Sequence, residues 1–139
     1  MSISNRRDMT ESCFCCTFEQ QLLLTCYHII LSMELDCKYV LHIPLSMWEN
    51  GKLKALDVDG QINELISCLE VKGFDGFYVT KVESHYKSRK YDELLITIFA
   101  EGDDSPLPIF RDWFFKNNPI MSQEAMAYEI GNKMIIETF

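Results

Sequence analysis

The stretch DGQINELISCLEVKGFDGFYVTKVESHYKSRKYDELLITIFA, from Asp59 to Ala100, decides the fold of this chain. Its first part carries Ile62, Leu65, Ile66 and Leu69 at i, i+3, i+4 and i+7, one apolar stripe on a helix. Asp59 is placed to cap that helix, since its side-chain oxygen can accept from the unpaired amides of the first turn. Gly73 closes it, because a helix end commonly needs a left-handed residue. The period then changes. Phe77–Tyr86 is rich in aromatic and β-branched residues and reads as a strand. Lys87–Lys90 is polar and turn-like, and Tyr91–Ala100 is a second strand with Leu94, Ile96 and Ile98 inward. The two strands are expected to form a hairpin.

Upstream, Tyr39, Leu41, Ile43 and Leu45 alternate with Val40, His42 and Pro44, the period-2 signature of a half-buried strand. Glu49-Asn50-Gly51-Lys52 is a turn, and Leu53–Val58 reads as a short extended segment. Downstream, Glu101-Gly102-Asp103-Asp104-Ser105-Pro106 is a loop. Pro106 or Pro108 then opens a helix running to about Asn117, with Ile109, Phe110, Trp113 and Phe114 as its buried stripe. Asn118-Pro119 is expected to end it. In the tail, Gln123–Ile130 and Lys133–Thr138 flank Gly131-Asn132, a two-residue link that signals a hairpin because such turns need positive φ.

From Lys38 the order is strand, helix, strand, strand, helix, strand, strand. Its first six elements match the split βαβ unit, an antiparallel sheet with both helices on one face. On this order the chain resembles the ferredoxin-like α/β plait, here with an added C-terminal strand. The hairpin Glu83–Phe99 and the strand start Gln123-Glu124-Ala125 are also similar to uncharacterised bacterial plait proteins. The resemblance implies an α+β fold over about residues 38 to 138 and carries no site residues, since the fold hosts many functions.

The 139 residues are 47% apolar, 12% aromatic and 24% charged, values of an ordinary globular protein rather than a disordered one. Residues 1–32 differ in character, with four of the six cysteines, no glycine and no proline. They read as an N-terminal extension, either a helix over about Thr17–Leu31, a partly disordered arm, or sequence upstream of a true start at Met33. Residues 33–139 then form one α+β domain. Arg6 and Arg7 precede the apolar run Leu22–Leu31, but acidic residues and glutamines dilute that end and no small-residue cleavage site follows, so a secretion signal is disfavoured. No stretch reaches the ~18 apolar residues of a membrane span. Cys13, Cys15 and Cys16 form a Cys-x-Cys-Cys without a second ligand pair at zinc spacing. Free thiols in a cytoplasmic protein are the expectation, with no metal and no cofactor. Cys68, near the helix stripe, is expected in the core.

The net charge of −8 argues against broad nucleic-acid binding. Within it, Lys81, Lys87, Arg89 and Lys90 gather at the hairpin end, interleaved with His85, Tyr86 and Tyr91. Lys87, Arg89, Tyr86 and Tyr91 make a candidate site for an anionic small molecule, the Arg by a bidentate fork and the rings by stacking. The plainer reading is a solvated hairpin whose lysines discourage edge pairing. His85 is the histidine set among polar neighbours in the chain. A second grouping pairs Glu83 and Glu93 on facing strands with Glu124 and Glu129 on a later one. Such carboxylates do acid–base work when their environments differ, or simply face water and pair with lysines. A third grouping sets Asp92-Glu93 with Asp57-x-Asp59 and Asp103-Asp104, of which the last two fit turns and helix starts.

No phosphate loop, nucleophile elbow or zinc-protease motif is present. The expectation is therefore a small non-enzymatic binding or regulatory module. The competing readings are a small enzyme with His85 as general acid or base, oriented by Glu93 or Glu83, with Arg89 holding an anionic substrate, and a purely structural interaction domain. The enzyme reading in that form requires His85 and Glu93 to converge. Read out of phase with the core, Val40, His42, Leu95, Thr97 and Phe99 share the face that the helices leave open. Its half-apolar character calls for a cover: Thr17–Leu31, a second copy in a homodimer, or a ligand.

Overall fold

The computed structural model describes Ser32 and residues 34–139. The chain divides into two units, Met1–Glu34 and Leu35–Phe139, and all elements below belong to the second. The segment Thr17–Leu31 and the Cys-x-Cys-Cys run lie outside the described residues.

Strand β1 (Cys37–Pro44) is followed by a small hairpin, β2 (Ser46–Glu49) and β3 (Lys52–Ala55), then helix α1 (Asp59–Val71). Strands β4 (Phe77–Tyr86) and β5 (Arg89–Ala100), helix α2 (Leu107–Met121) and strands β6 (Ala125–Ile130) and β7 (Lys133–Thr138) complete the unit. The main sheet runs β4-β5-β1-β6-β7, antiparallel at every pairing. This is the ferredoxin-like α+β arrangement with a strand added beyond β6. Each hydrophobic alternation read from the sequence faces the helices: Tyr39, Leu41 and Ile43 of β1 and Leu94, Ile96 and Ile98 of β5 join the core. They meet Ile62, Leu65 and Leu69 of α1 and Phe110, Trp113 and Phe114 of α2. Burying such side chains is worth about 1.5–3 kcal/mol each, so this layer is what fixes the register of the sheet.

Local departures have local causes. Helix α1 starts at Asp59 itself, with Val58 at the N-cap position and no side-chain cap. Val58 is fully buried, so apolar packing rather than capping sets the entry of the chain, and Asp59 contributes charge to the first turn. Gly73, at φ +92, ends the helix as expected, with the Phe74 amide donating to the Leu69 carbonyl. Cys68 is exposed rather than in the core; six residues past Ile62, it has rotated off the buried stripe. Helix α2 runs past Pro119 to Met121. Proline there sacrifices one backbone bond in the last turn, while Met121 is fully buried, and Ser122 then takes the left-handed conformation that stops it.

The β2–β3 hairpin was foreshadowed by its turn and, in β3, by the extended reading of Leu53–Val58. Asn50 and Gly51 both have positive φ, the two-residue geometry that matches strand twist. The hairpin is tied to the start of β5: the Asp92 amide donates to the buried Ser46 hydroxyl at 2.9 Å and the Leu45 amide donates to the Asp92 carbonyl at 2.9 Å. The added strand β7 is clamped from the helix side. Arg111 of α2 donates Nε and Nη2 to Glu137 at 3.3 and 2.7 Å, and the Tyr128 hydroxyl also donates to Glu137. Hydrogen bonding from Arg111 and Tyr128 holds the Glu137 carboxyl below its ordinary 4.5.

Candidate functional site

The face of the sheet turned away from the helices carries the alternate residues of each strand. His42 of β1 stands opposite Leu95 of β5 and Ala127 of β6. On the same face, Glu93 is paired with Pro44 and Glu129 with Val40, so each carboxylate is a diagonal neighbour of His42, one from either side. The result is a line of three side chains across three strands. His42 Nδ1 lies 3.0 Å from Glu93 Oε1, and His42 Nε2 lies 2.7 Å from Glu129 Oε2.

This geometry dictates a protonation state. A neutral imidazole has one donor nitrogen and one lone pair, whereas both ring nitrogens here face carboxylate oxygens. Only the imidazolium can donate to both. Burial, with the His42 side chain 11% exposed, disfavours that charge. The hydrogen bonds and charges of Glu93 and Glu129 outweigh it, and the His42 pKa is raised above 6.5. The cluster then holds two negative charges and one positive. Among the described residues, no partner is found for the second oxygen of either carboxylate. The arrangement suits a cation, or a proton to be accepted. The two ring nitrogens point apart, so the three groups do not converge on one ion. Among the described residues no set of three or more His, Cys, Asp or Glu is placed to hold a metal.

The residues singled out from sequence fall elsewhere, apart from Glu93. On β4, His85 is on the helix-side alternation and pairs with Glu83 at 2.8 Å, well exposed to solvent. Glu93 is on the open face, so His85 and Glu93 point to opposite faces and are not brought together. Orientation of His85 by Glu93 is corrected accordingly, since the histidine beside Glu93 is His42, whereas the other carboxylate offered, Glu83, is the one His85 meets. Three of the four hairpin cations are engaged within the protein, Lys81 being the exception among the described residues. Lys87 Nζ sits 5.3 Å from the Tyr86 ring centre, Arg89 stacks 4.9 Å from the Trp48 ring centre, and Lys90 is 3.8 Å from Glu83. Among the described residues these contacts do not converge on one anion site. Tyr91 is half-buried and two residues from Glu93 along β5, hence on the same face as the triad.

His42 was visible in the sequence only as a polar interruption among open-face residues. Glu129 was one of several isolated strand carboxylates. The signal available was the shared phase: both, like Glu93, alternate with core residues, and only the strand order makes them neighbours.

No family model and no curated protein matches this chain. Two solved structures are similar to it, both of a phage SAM lyase. The apo form aligns with a TM-score of 0.51 at 10% identity, covering 81% of this chain and 97% of that one. The form in complex with S-methyl-5'-thioadenosine gives 0.49 at the same identity and coverage. At this identity the likeness shows the fold alone. It nevertheless overturns the expectation of a non-enzymatic binding or regulatory module, and with it the purely structural alternative, because this framework is one on which an enzyme is built. Among the described residues no helix is long and apolar enough to cross a membrane.

Proposed function

We propose that this chain is a small lyase acting on a sulfonium substrate of the SAM class at the sheet face turned away from the helices, around His42. The observation that carries the reading is the imidazolium gripped by two carboxylates, a net negative site whose outer carboxylate oxygens have no partner among the described residues. A sulfonium ion is a compact cation, and its recognition by carboxylates is electrostatic. The fold shared with a SAM lyase sets which sulfonium to try first; a fold by itself does not confer a function.

The chemistry asks little of the protein. When the bond between sulfur and the amino-acid chain breaks, sulfur takes the electron pair and leaves as the neutral thioether S-methyl-5'-thioadenosine. A proton on the adjacent carbon goes to the free oxygen of Glu93 or Glu129, and the carbon–carbon double bond forms from the electrons left behind. His42 acts here as a positioning residue, fixing both carboxylates and tempering their charge.

The test is direct: full-length protein is incubated with SAM near pH 7.5 and S-methyl-5'-thioadenosine is followed by liquid chromatography. Product above the buffer blank is expected, falling by about 100-fold or more in the variant that replaces the proton acceptor, Glu93→Gln or Glu129→Gln. No product from the wild-type chain, or full activity in both variants, would overturn the reading.

A further inference from the structure

On the opposite side of the sheet from His42, a groove of about 430 Å³ opens between α1 and the edge strand β4. The volume lies in the range of small-ligand sites. Its apolar floor and walls include Val79 and Leu94 from the sheet and Ile62 and Ile66 from the helix. Val79 is 42% exposed despite pointing to the helix side, because α1 stops short of covering β4. An apolar surface left open in this way is available to a ligand.

Three polar side chains line the same groove: Asp59 and Asn63, one turn apart on α1, and Lys81 of β4. Asp59 and Lys81 carry opposite charges yet do not pair with each other, and among the described residues neither they nor Asn63 has a side-chain partner. Lys54, Lys90 and Lys116 each reach a glutamate, whereas Lys81, like Lys38, Lys52, Lys72 and Lys133, forms no ion pair among the described residues. A carboxylate on the helix wall, an ammonium on the strand wall and an apolar floor between them complement one kind of molecule. It has a positive group, a negative group and an apolar branch.

We propose that this groove binds a zwitterionic α-amino acid with an apolar side chain. The ammonium meets Asp59, the carboxylate meets Lys81 with Asn63 available as a further donor, and the side chain rests on Val79 and Leu94. The site is separate from the His42 cluster and does not depend on the reaction proposed there. It adjoins that cluster along β5, where Leu94 in the groove floor follows Glu93, whose side chain points to the other face.

The experiment is an NMR titration of the full chain with L-leucine, L-methionine and L-phenylalanine, followed at the amides of Ile66, Val79 and Lys81. At least one amino acid is expected to shift these resonances saturably below about 1 mM. N-acetyl-leucine, which lacks the ammonium, and isopentylamine, which lacks the carboxylate, are expected to bind about tenfold more weakly than leucine, the loss of one charge-assisted contact. Lys81→Met is expected to erase the advantage of leucine over isopentylamine, and Asp59→Asn its advantage over N-acetyl-leucine. Both positions are exposed, so neither change threatens the core. No saturable shift at groove residues up to 10 mM with any of the three amino acids would overturn the proposal. Equal binding of the charged and the truncated ligands would overturn it as well.

Discussion

Replacing Glu129 by Gln changes one formal charge beside His42 and little else, and its effect on stability is expected to depend on pH with a definite sign. Below 6.5 the imidazole is protonated in both folded and unfolded chains, and in the wild type it donates to two carboxylates. Hydrogen bonds to charged groups contribute about 1.5–3 kcal/mol and neutral ones about 0.5–1.5 kcal/mol. The amide variant therefore gives up about 1–1.5 kcal/mol, and the 33% exposure of Glu129 moves this toward the lower figure through solvent screening. Because the folded pKa of His42 is raised above 6.5, its stabilisation is complete below 6.5 and is lost as pH rises through that raised value. Once neutral, the imidazole keeps one N–H, and one carboxylate faces a bare lone pair. A glutamine amide can donate to that lone pair where glutamate cannot, so the deficit of the variant should vanish or reverse.

The assay is urea unfolding of wild type and Glu129→Gln at about pH 5.5 and about pH 9, read by fluorescence of the buried Trp113. With a urea slope of about 1.5 kcal/mol/M, the wild type should lead by about 0.7 M in midpoint at the lower pH and by none at the higher. A gap of the same size at both pH values, or one that widens with pH, would refute the doubly donating imidazolium.

Two further outcomes test the framework. Phe110, fully buried and ring-packed against Trp113 and Phe114, should cost about 3–5 kcal/mol when cut to alanine; a loss under about 1 kcal/mol in the same urea assay would mean that this helix is not seated as described. At the β4–β5 turn, Lys87 and Ser88 both hold positive φ, +50° and +64°, a conformation that costs L-residues about 1 kcal/mol or more. Ser88→Gly should therefore raise stability by about 0.5 kcal/mol, net of the extra freedom glycine has when unfolded, and a thermal midpoint that falls instead would contradict the turn geometry.

The elements of this protein were legible because their signals are local. Ile62, Leu65 and Leu69 mark a helix face within eight residues, Tyr39, Leu41 and Ile43 mark a strand within five, and Gly73 and Gly131 mark ends that require positive φ. Chain order then sufficed for the sheet, because few ways exist to bury those stripes with short, uncrossed connections. Pro119 misled for the same reason: a local breaker was outweighed by the burial of Met121, which depends on the whole core. The β2–β3 hairpin showed its Asn50-Gly51 turn, but β2 has no alternation of its own and is held by Ser46 reaching Asp92.

The site was not legible, because no local rule contains it. His42 is separated from Glu93 by 51 positions and from Glu129 by 87. What places them together is register: β1 lies between β5 and β6, and a slip of one residue on either pairing would send a carboxylate to the helix side. The sequence by itself determined which residues alternate and therefore which share a face. Tertiary structure alone decided which of those faces adjoin, and so turned a polar interruption at His42 into a charged cluster. His85, rich in polar neighbours along the chain, was left in solvent beside Glu83, because neighbours along a strand point alternately to opposite sides.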